Sequence, residues 1–256
     1  GDNLLITFLG WEGVGACSYF LISFWFTGDA NASAGKKAFV TNRIGDWGFM
    51  VATFLTFTAI GSIRETRQSG DLRAVIACPF DPAGIAMGAS IACSGVYLTV
   101  VDKGGEAGNS WFAVDISGES VARTVTGRWT PGTRLNLEPA LKLGDELGGH
   151  IVTGHVDGVG TVAGIEPAGD SHRFTFAAPK ELAPYLAPKG SITVDGVSLT
   201  VNEVTDDPDG TCRFTVNIIP HTADVTTLGA LAAGDGVNLE IDVLARYLQR
   251  MQSLRG

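Results

Sequence analysis

Hydroxyl-bearing side chains at alternate positions of two matching segments are the clearest candidates for chemistry in the sequence. Ser198 and Thr200 lie two residues apart in SITVDGVSLTV, and Tyr97 and Thr99 hold the corresponding places in SIACSGVYLTV. Side chains two residues apart on a strand face the same side of the sheet. Each pair can therefore line one polar pocket, and hydroxyl groups in a pocket bind a small molecule through hydrogen bonds.

The histidines and cysteines do not have the spacing of a metal site. The four cysteines include no CxxC pair, and the four histidines lie outside HExxH and away from paired cysteines. We therefore expect no metal, no other cofactor and no disulfide framework, which favours a reducing, cytoplasmic location. A net charge of −9 without a basic stripe argues against a nucleic-acid partner.

An internal repeat organises the chain from about residue 60 onward. Short β-rich runs alternate there with Gly, Pro, Asp and Asn, and only the final VLARYLQRMQSLRG predicts a strong helix. Four blocks recur in the same order: 60–63 with 159–162, 90–100 with 191–201, 112–120 with 214–222, and 134–139 with 236–241. The repeat therefore predicts that the chain contains two copies of one domain. Asn136 and Asn238 correspond within the repeat and are interpreted as structural.

We predict an all-β fold of two tandem six-stranded closed β-barrels with a C-terminal helix, because closure removes exposed strand edges. An apolar, helical N-terminal segment precedes the barrels. Residues 3–26 carry one charge, Glu12, and residues 47–60 carry none; a 24-residue run is long enough to span a bilayer. The alternative is a buried helical pair. The predicted boundaries are 1–53 for the apolar segment, 54–149 and 150–243 for the barrels, and 244–256 for the helix.

Long motifs in the repeat region are very similar to those of the riboflavin synthase family. They are GASIACSGVYLTVVD, LKLGDELGGHIVTGHVDGVGTV, APKGSITVDGVSLTVNEV and NIIPHTADVTTLG, within residues 58–256. The resemblance implies conversion of two 6,7-dimethyl-8-ribityllumazine molecules into riboflavin and 5-amino-6-(ribitylamino)uracil. It also implies a homotrimer held partly by the C-terminal helix, with the active site between the first barrel of one subunit and the second barrel of the next. Lumazine synthase is a further candidate partner.

The resemblance also assigns site residues to both barrels. In the first barrel the substrate-binding set is Ser90, Tyr97, Leu98, Thr99, Asp115, Ile116, Ser117, Gly118, Glu119 and Ser120. In the second barrel it is Gly154, His155, Val156, Lys189, Ser198, Leu199, Thr200, Ile219, Pro220, His221, Thr222, Ala223 and Asp224. His155, Asp242 and Ser90 are the candidates for proton transfer or catalytic hydrogen bonding.

Three of these residues have simpler interpretations that the sequence leaves open. His155 in TGHVDG can cap a turn, and Lys189 in PKGS can be a solvated turn residue. Asp242 precedes the terminal helix and can be its N-cap, because aspartate accepts hydrogen bonds from the free N–H groups of a first turn.

The sequence departs from the family in two places. Tyr97 stands where the family usually has Cys, so a bulkier group points into the expected first-barrel pocket. The usual opening Met-Phe-Thr-Gly-Ile-Val is missing, and the repeat aligns Gly154 with Leu55. Glycine allows close approach of a ligand to the backbone, whereas leucine does not. Reduced activity is therefore expected.

The first 55 or so residues resemble a different family, the antiporter-like membrane subunits of respiratory complex I. The similarity lies in FLGWEGVGACSYFLISFWF and AGKKAFVTNRIGDWGFM, and the resemblance gives Glu12 a role in proton translocation. Two helices at most do not make a proton channel, so we interpret the chain as a chimeric reading frame joined near residues 53–58. Membrane association requires residues 1–57 to insert.

Three functions are thus distinguished by the sequence. The first is a riboflavin synthase, a transferase whose activity is impaired by the altered opening. The second is a non-catalytic lumazine- or flavin-binding protein of the same fold, which Tyr97 and Leu55 favour. The third is a membrane-anchored protein related to complex I.

Overall fold

The computed structural model describes residues 59–106, 108–142, 145 and 149–254. The expectations for the apolar segment 1–53, for Glu12 and for Leu55 lie outside these residues. Six strands form the first half of the described chain: β1 Ala59–Ser69, β2 Asp71–Cys78, β3 Ser90–Cys93, β4 Val96–Glu106, β5 Asn109–Ile116 and β6 Arg134–Pro139. They close into a barrel in the order β1-β2-β5-β4-β3-β6, which confirms the architecture predicted for the first copy.

The second copy follows the same path with one strand divided in two. Its strands are β7 Gly158–Ala168, β8 Ser171–Ala178, β9 Ser191–Val194, β10 Val197–Thr200, β11 Glu203–Asp206, β12 Cys212–Ile218 and β13 Gly236–Ile241. Their order is β10-β9-β13-β7-β8-β12-β11. The two ends of this sheet, β10 and β11, are consecutive in the chain and together occupy the place of β4. The second copy therefore has seven strands where six were predicted.

The division falls where the first barrel has a bulge. In β4 the register with β5 shifts between Val100 and Asp102, and the repeat aligns this point with Val201 and Asn202. Asn202 N still donates to Thr215 O at 2.8 Å, so pairing with β12 continues past the interruption. A local irregularity at this position is thus common to both copies, although its extent differs.

The described residues also form three α-helices, α1 Gly118–Arg123, α2 Pro220–Val225 and α3 Val243–Ser253, and two short 3-10 helices at Ala183–Tyr185 and Thr227–Ala230. Helices α1 and α2 follow β5 and β12, which occupy matching places in the two copies. Helix α3 begins after Asp242, whose carboxylate accepts from Leu244 N at 2.8 Å. This capping bond fixes the start of the predicted C-terminal helix.

Each copy has its own hydrophobic core. Alternation is clear in β4, where Val96, Leu98 and Val100 are buried and Thr99 is exposed. The second core contains Phe174, Phe176 and Phe214, whose rings stack with centroid distances of 5.9 and 5.4 Å for successive pairs. Burying these aromatic side chains supplies much of the stabilisation of the second copy.

The two copies meet through the turns that follow β3 and β9. Gly95 and Gly196 face each other so closely that a Cβ on Gly196 would lie 2.8 Å from Gly95 N. Asn136 Nδ2 donates to Asp195 O at 2.8 Å, and Asn238 Nδ2 donates to Ser94 O at 2.9 Å. The structural interpretation of the two asparagines is confirmed, since each bonds the other copy.

The described part of the chain lacks two kinds of feature. No helix among these residues is long and apolar enough to cross a membrane. Nor do they contain a group of three or more His, Cys, Asp or Glu side chains arranged to hold a metal ion.

Candidate functional site

A cavity of about 430 Å³ lies against the first barrel. One wall comes from β4 and α1, and the other comes from residues Thr153–Asp157, which we call the opening segment because it precedes β7. The lining residues are Val96, Tyr97, Glu119, Ser120, Arg123, Thr124, Gly154, His155, Val156 and Asp157. The cavity therefore combines the first copy of the repeat with the beginning of the second, and its polar groups include a histidine, an arginine, three hydroxyls and two carboxylates.

Contact between Tyr97 and Gly154 joins the two walls. Tyr97 N donates to Gly154 O at 3.1 Å. Gly154 has a φ of +70°, and a Cβ on it would lie 2.7 Å from Cδ2 and 2.8 Å from Cβ of Tyr97. Both the backbone conformation and the lack of space therefore require glycine here. Burial raises the pKa of Tyr97, with Glu138 and Glu240 adding to the effect, so the phenol stays protonated.

Glu240 holds the opening segment from the side of the second copy. Its carboxylate accepts from Thr153 N at 2.6 Å, from Thr153 Oγ1 at 2.7 Å and from Gly154 N at 3.0 Å. The side chain is 2% exposed, and hydrogen bonds from backbone N–H groups compensate for burying its charge. Glu240 thus fixes the backbone that leads into His155.

A second polar cluster lies on the second copy. His150 Nδ1 is 2.8 Å from Ser198 Oγ, and His150 Nε2 is 3.2 Å from Thr193 Oγ1. Burial lowers the pKa of His150 below its ordinary value, although Asp242 and Glu240 pull it in the opposite direction. The imidazole is therefore neutral at pH 7 and can accept a hydrogen bond from one of the two hydroxyls.

The structure brings together part of the predicted first-barrel set. Of those residues, Tyr97, Glu119 and Ser120 line the cavity. Leu98 and Ile116 are buried in the first core, and Asp115 lies 3.7 Å from Arg73 at the surface. Ser117 is the N-cap of α1, which begins at Gly118. Ser90 pairs with Thr99 in the β3–β4 ladder, and neither is among the lining residues.

The opening segment lies beside the first barrel. The family resemblance assigns Gly154, His155 and Val156 to the second-barrel pocket, and in the structure they line the cavity against the first barrel. Val156 also packs against the first hydrophobic core. The physical reason is that the segment crosses to the first copy before β7 begins, a path that the repeat pattern does not reveal.

The remaining second-barrel residues lie elsewhere. Ser198 belongs to the His150 cluster, whereas Leu199 and Thr200 continue β10. Lys189 has a φ of +66°, and its N–H donates to Val201 O at 2.7 Å, so its backbone forms a turn as the simpler interpretation held. Ile219 caps α2, which contains Pro220, His221, Thr222, Ala223 and Asp224. Asp242 caps α3 and acts electrostatically on His150.

Several residues of the site were missed from the sequence. Arg123 follows Glu119 by four residues and pairs with it at 2.8 Å, a helical spacing that could have been noticed. Glu240 matches Glu138 in the repeat, which was a usable signal. His150 was also missed, because it lies 48 residues from Ser198 and no sequence pattern connects it with that predicted residue.

Two protein families match different, partly overlapping parts of the chain. The family described as lumazine binding domain matches residues 56–140 and 153–242. The family described as NADH:quinone oxidoreductase/Mrp antiporter matches residues 1–76. Both matches include residues 56–76, but within that overlap residues 59–76 form β1 and most of β2 of the first barrel.

The curated relatives are similar over most of their length. The riboflavin synthase of Brucella abortus is 50% identical over 175 residues, covering 67% of this chain and 83% of that protein. The riboflavin synthase of Mycobacterium tuberculosis is 42% identical and covers 72% and 89%. That of Bacillus subtilis is 35% identical and covers 74% and 85%.

Solved structures of LumP share the fold. LumP complexed with riboflavin matches with a TM-score of 0.61 and 26% identity, covering 73% of this chain and 97% of that one. LumP complexed with 6,7-dimethyl-8-(1'-D-ribityl) lumazine matches with a TM-score of 0.59 and 25% identity over the same shares.

Proposed function

The chain belongs to the riboflavin synthase family, and from this we propose that it catalyses the dismutation of two 6,7-dimethyl-8-ribityllumazine molecules to riboflavin and 5-amino-6-(ribitylamino)uracil. The observation that carries the proposal is the presence of two polar sites, one on each copy of the repeat. One is the cavity at Tyr97, Ser120 and His155; the other is the cluster of His150 and Ser198. Two sites suit a reaction that consumes two identical molecules.

The chemistry relies mainly on positioning. Transfer of a four-carbon unit between two heterocycles requires their rings to be held together, and orientation alone can supply a large part of the barrier reduction. A methyl proton on carbon 7 of one lumazine must also leave, which needs a base within hydrogen-bond reach. We assign the catalytic hydrogen bonds to His155, which lines the cavity, with Asp242 acting through its charge on His150. Ser90 does not line the cavity, and its catalytic role stays a prediction from the family resemblance.

Purified protein tests this function directly. Incubation with the lumazine is expected to give riboflavin, detected by its longer-wavelength absorbance and fluorescence, together with the pyrimidine in equal amount. Absence of riboflavin at high enzyme concentration contradicts the proposal.

Activity is expected to fall as the pH drops through the pKa of His150. Because burial lowers that pKa, the neutral imidazole persists below the ordinary value of about 6.5, and kcat/KM should stay level from pH 8 down past that point. Protonation then removes the acceptor for Ser198 and lowers kcat/KM. The measurement is the pH profile of kcat/KM for the unmodified protein and for His150→Gln.

The matched control for this profile is His172→Gln, because His172 lies on β8 with an exposed side chain. The fall of kcat/KM at low pH should be unchanged in His172→Gln and absent in His150→Gln. If kcat/KM of His150→Gln still falls at low pH as it does in the unmodified protein, a group other than His150 titrates.

We further propose a homotrimer held by α3. The helix and its C-cap residue expose a stripe of large apolar side chains, each more than half exposed in the single chain: Leu244, Tyr247, Leu248, Met251 and Leu254. A contiguous apolar face of this kind marks a contact with another chain. In a trimer the first barrel of one subunit can face the second barrel of the next, which brings the two lumazines together.

Leu248→Asp is expected to dissociate the trimer, because it places a charge within the apolar stripe. Analytical ultracentrifugation should show monomer, and kcat/KM should fall by at least about a hundredfold as the shared site is lost. Ser253→Asp is the control, since Ser253 is exposed and lies roughly 140° around the helix from Leu248. A trimer that survives Leu248→Asp rules out this use of α3.

A non-catalytic lumazine- or flavin-binding protein is the second candidate function. The observation in its favour is Tyr97, whose ring packs on Gly154 within the cavity and reduces the space for a substrate. Tight binding of lumazine or riboflavin without any turnover distinguishes this candidate from the first.

Cytoplasmic location and association with lumazine synthase stay predictions, and recovery of the chain in a membrane fraction would favour insertion of residues 1–57.

A further inference from the structure

The opening segment is held at its far end by an ion pair with the C-terminal helix. Arg246 Nη1 lies 2.7 Å from Asp157 Oδ1, and Arg246 Nη2 donates to Asp157 Oδ2 at 2.9 Å. This is the bidentate geometry in which guanidinium and carboxylate interact most strongly. The Asp157 side chain is 13% exposed and that of Arg246 is 40% exposed, so solvent screens the pair only in part.

The same carboxylate is also attached to the second barrel. Asp157 Oδ2 accepts from Ile241 N at 2.9 Å, and Asp157 N donates to Leu239 O at 2.8 Å. Together with the three hydrogen bonds that Glu240 accepts, these contacts tie both ends of the opening segment to β13. His155 lies between the two tied ends, so its backbone has little freedom to move away from the cavity.

Arg246 stands on a different side of α3 from the exposed apolar stripe. It lies one turn into the helix, where its N–H donates to Asp242 O at 3.2 Å. At about 100° per residue, Arg246 is roughly 160° from Leu248 around the helix axis. One side of α3 is therefore available for contact with another subunit, while another side holds the segment that lines the first-barrel cavity.

We propose that Asp157 and Arg246 are positioning residues that couple the placement of α3 to the first-barrel site. Docking of α3 against its neighbours fixes Arg246, Arg246 fixes Asp157, and Asp157 sets the place of His155 and Val156 against Tyr97. The inference rests on the proposed function, because it assigns how that site is held. The Asp157 carboxylate is held by Arg246 and by Ile241 N, so the effect of the pair passes through the opening segment.

Arg246→Met tests the coupling, because methionine keeps much of the length and removes the charge. Riboflavin is the probe, titrated by fluorescence against the full-length protein, for which the proposed function predicts two sites per chain. We expect the affinity of one site to weaken about tenfold while the other is unchanged, and kcat/KM to fall by about tenfold, since small displacements of positioned groups have effects of this order. Arg246→Lys, which keeps the charge, should recover part of the loss.

The matched control is Arg250→Met, one turn farther along α3 at an exposed position. Arg250 forms no ion pair within the described residues, and its replacement should change neither affinity nor turnover. Asp157→Asn should resemble Arg246→Met, and the double variant should lose no more than either single variant, because both remove the same interaction. Trimer content and melting temperature are measured alongside.

The possible outcomes distinguish a failure of the coupling from a failure of the proposed function. If the unmodified protein neither binds riboflavin nor turns over lumazine, the proposed function fails. If it does both, and Arg246→Met has the same riboflavin affinity and kcat/KM as Arg250→Met, only the coupling fails. Equal weakening of both sites, or loss of folding in Arg246→Met and Asp157→Asn alike, assigns the pair a purely structural role and also overturns the coupling.

Discussion

Asp195→Ser is expected to lower the free energy of unfolding by about 3–5 kcal/mol, because it leaves a buried arginine without its counter-ion. Arg128 Nη2 donates to both carboxylate oxygens of Asp195, at 2.8 and 3.1 Å. The Asp195 side chain is fully buried and that of Arg128 is 10% exposed. Removing one partner of such a pair costs far more than breaking a surface salt bridge.

The repeat supplies the replacement residue. Ser94 occupies the position of Asp195 in the first copy and has nearly the same left-handed backbone, with φ of 47° against 46°. Ser94 Oγ accepts from Asn136 N at 3.2 Å, just as Asp195 Oδ1 accepts from Asn238 N at 2.9 Å. Serine can therefore adopt the turn and keep the backbone bond, and the cost of Asp195→Ser reports the lost ion pair.

The repeat also supplies the compensating change. Ala230 occupies the position of Arg128 in the second copy, so Arg128→Ala combined with Asp195→Ser gives the pair of residues that the other copy already has. The double variant should recover most of the lost stability, because no unpaired charge remains. Denaturant unfolding at one fixed protomer concentration measures this. A single-variant cost below about 1 kcal/mol, or a double variant as unstable as Asp195→Ser, contradicts the argument.

Measurement at pH 8 keeps the pair charged. Burial raises the pKa of Asp195 to about 6, although Arg128 and the Asn238 N–H oppose the shift. The folded-state pKa lies above the unfolded value of about 3.9, so this group alone stabilises the fold as the pH falls from above 6 to below 4. Asp195→Ser should abolish that part of the pH dependence.

Much of the fold could be predicted because the repeat constrains it twice. The strands were found from alternation and turn residues, and Asn136 and Asn238 were identified as structural because they recur at matching positions. The division of the second copy at Val201 and Asn202 was not predictable. A strand with a bulge remains continuous only if enough hydrogen bonds to its neighbouring strand are kept. That depends on local backbone geometry, which the residue pattern does not show.

The site was less predictable because its residues come from different parts of the chain. Alternation correctly placed Tyr97 on the outward side of β4, with Leu98 turned into the core. Repeat matching could not show that Gly154 and His155 cross to the first copy, since it compares positions within each domain and not contacts between domains. The neighbours of His150 are likewise fixed only by the tertiary structure.

Residues 59–76 show how the two family matches are reconciled. They match both families, yet β1 pairs with β2 and with β6, and these pairings close the barrel. A closed barrel leaves no free edge, and without β1 the edges of β2 and β6 would be exposed. Residues 59–69 must therefore form a strand for the barrel to close. The first lumazine-binding barrel therefore includes residues 59–76.

Gly154→Ala is expected to reduce kcat/KM by about a hundredfold. A Cβ on Gly154 overlaps the Tyr97 side chain, and the backbone on both sides is tied to Glu240 and Asp157. The overlap must then be relieved by moving the opening segment or the Tyr97 ring. A displacement of about 1 Å in residues that position substrate costs roughly this factor. Steady-state kinetics with the lumazine measures it.

Gly169→Ala separates the overlap from backbone strain. Gly169 has a φ of +65°, close to the +70° of Gly154, but a Cβ on Gly169 would meet no atom within 4 Å. Both variants carry the cost of a left-handed alanine, about 1–2 kcal/mol, whereas only Gly154→Ala disturbs the cavity. Gly169→Ala should therefore lose stability and keep its kcat/KM.

Tyr97→Ala provides the complementary test, because it removes the ring atoms that a Cβ on Gly154 would overlap. Added to Gly154→Ala, it should restore part of kcat/KM relative to Gly154→Ala alone, since the opening segment can then return toward its place. The Cβ of residue 97 remains 2.8 Å from the added methyl group, so recovery is incomplete. If the double variant is no better than Gly154→Ala, strain at residue 154 and not contact with Tyr97 sets the position of His155.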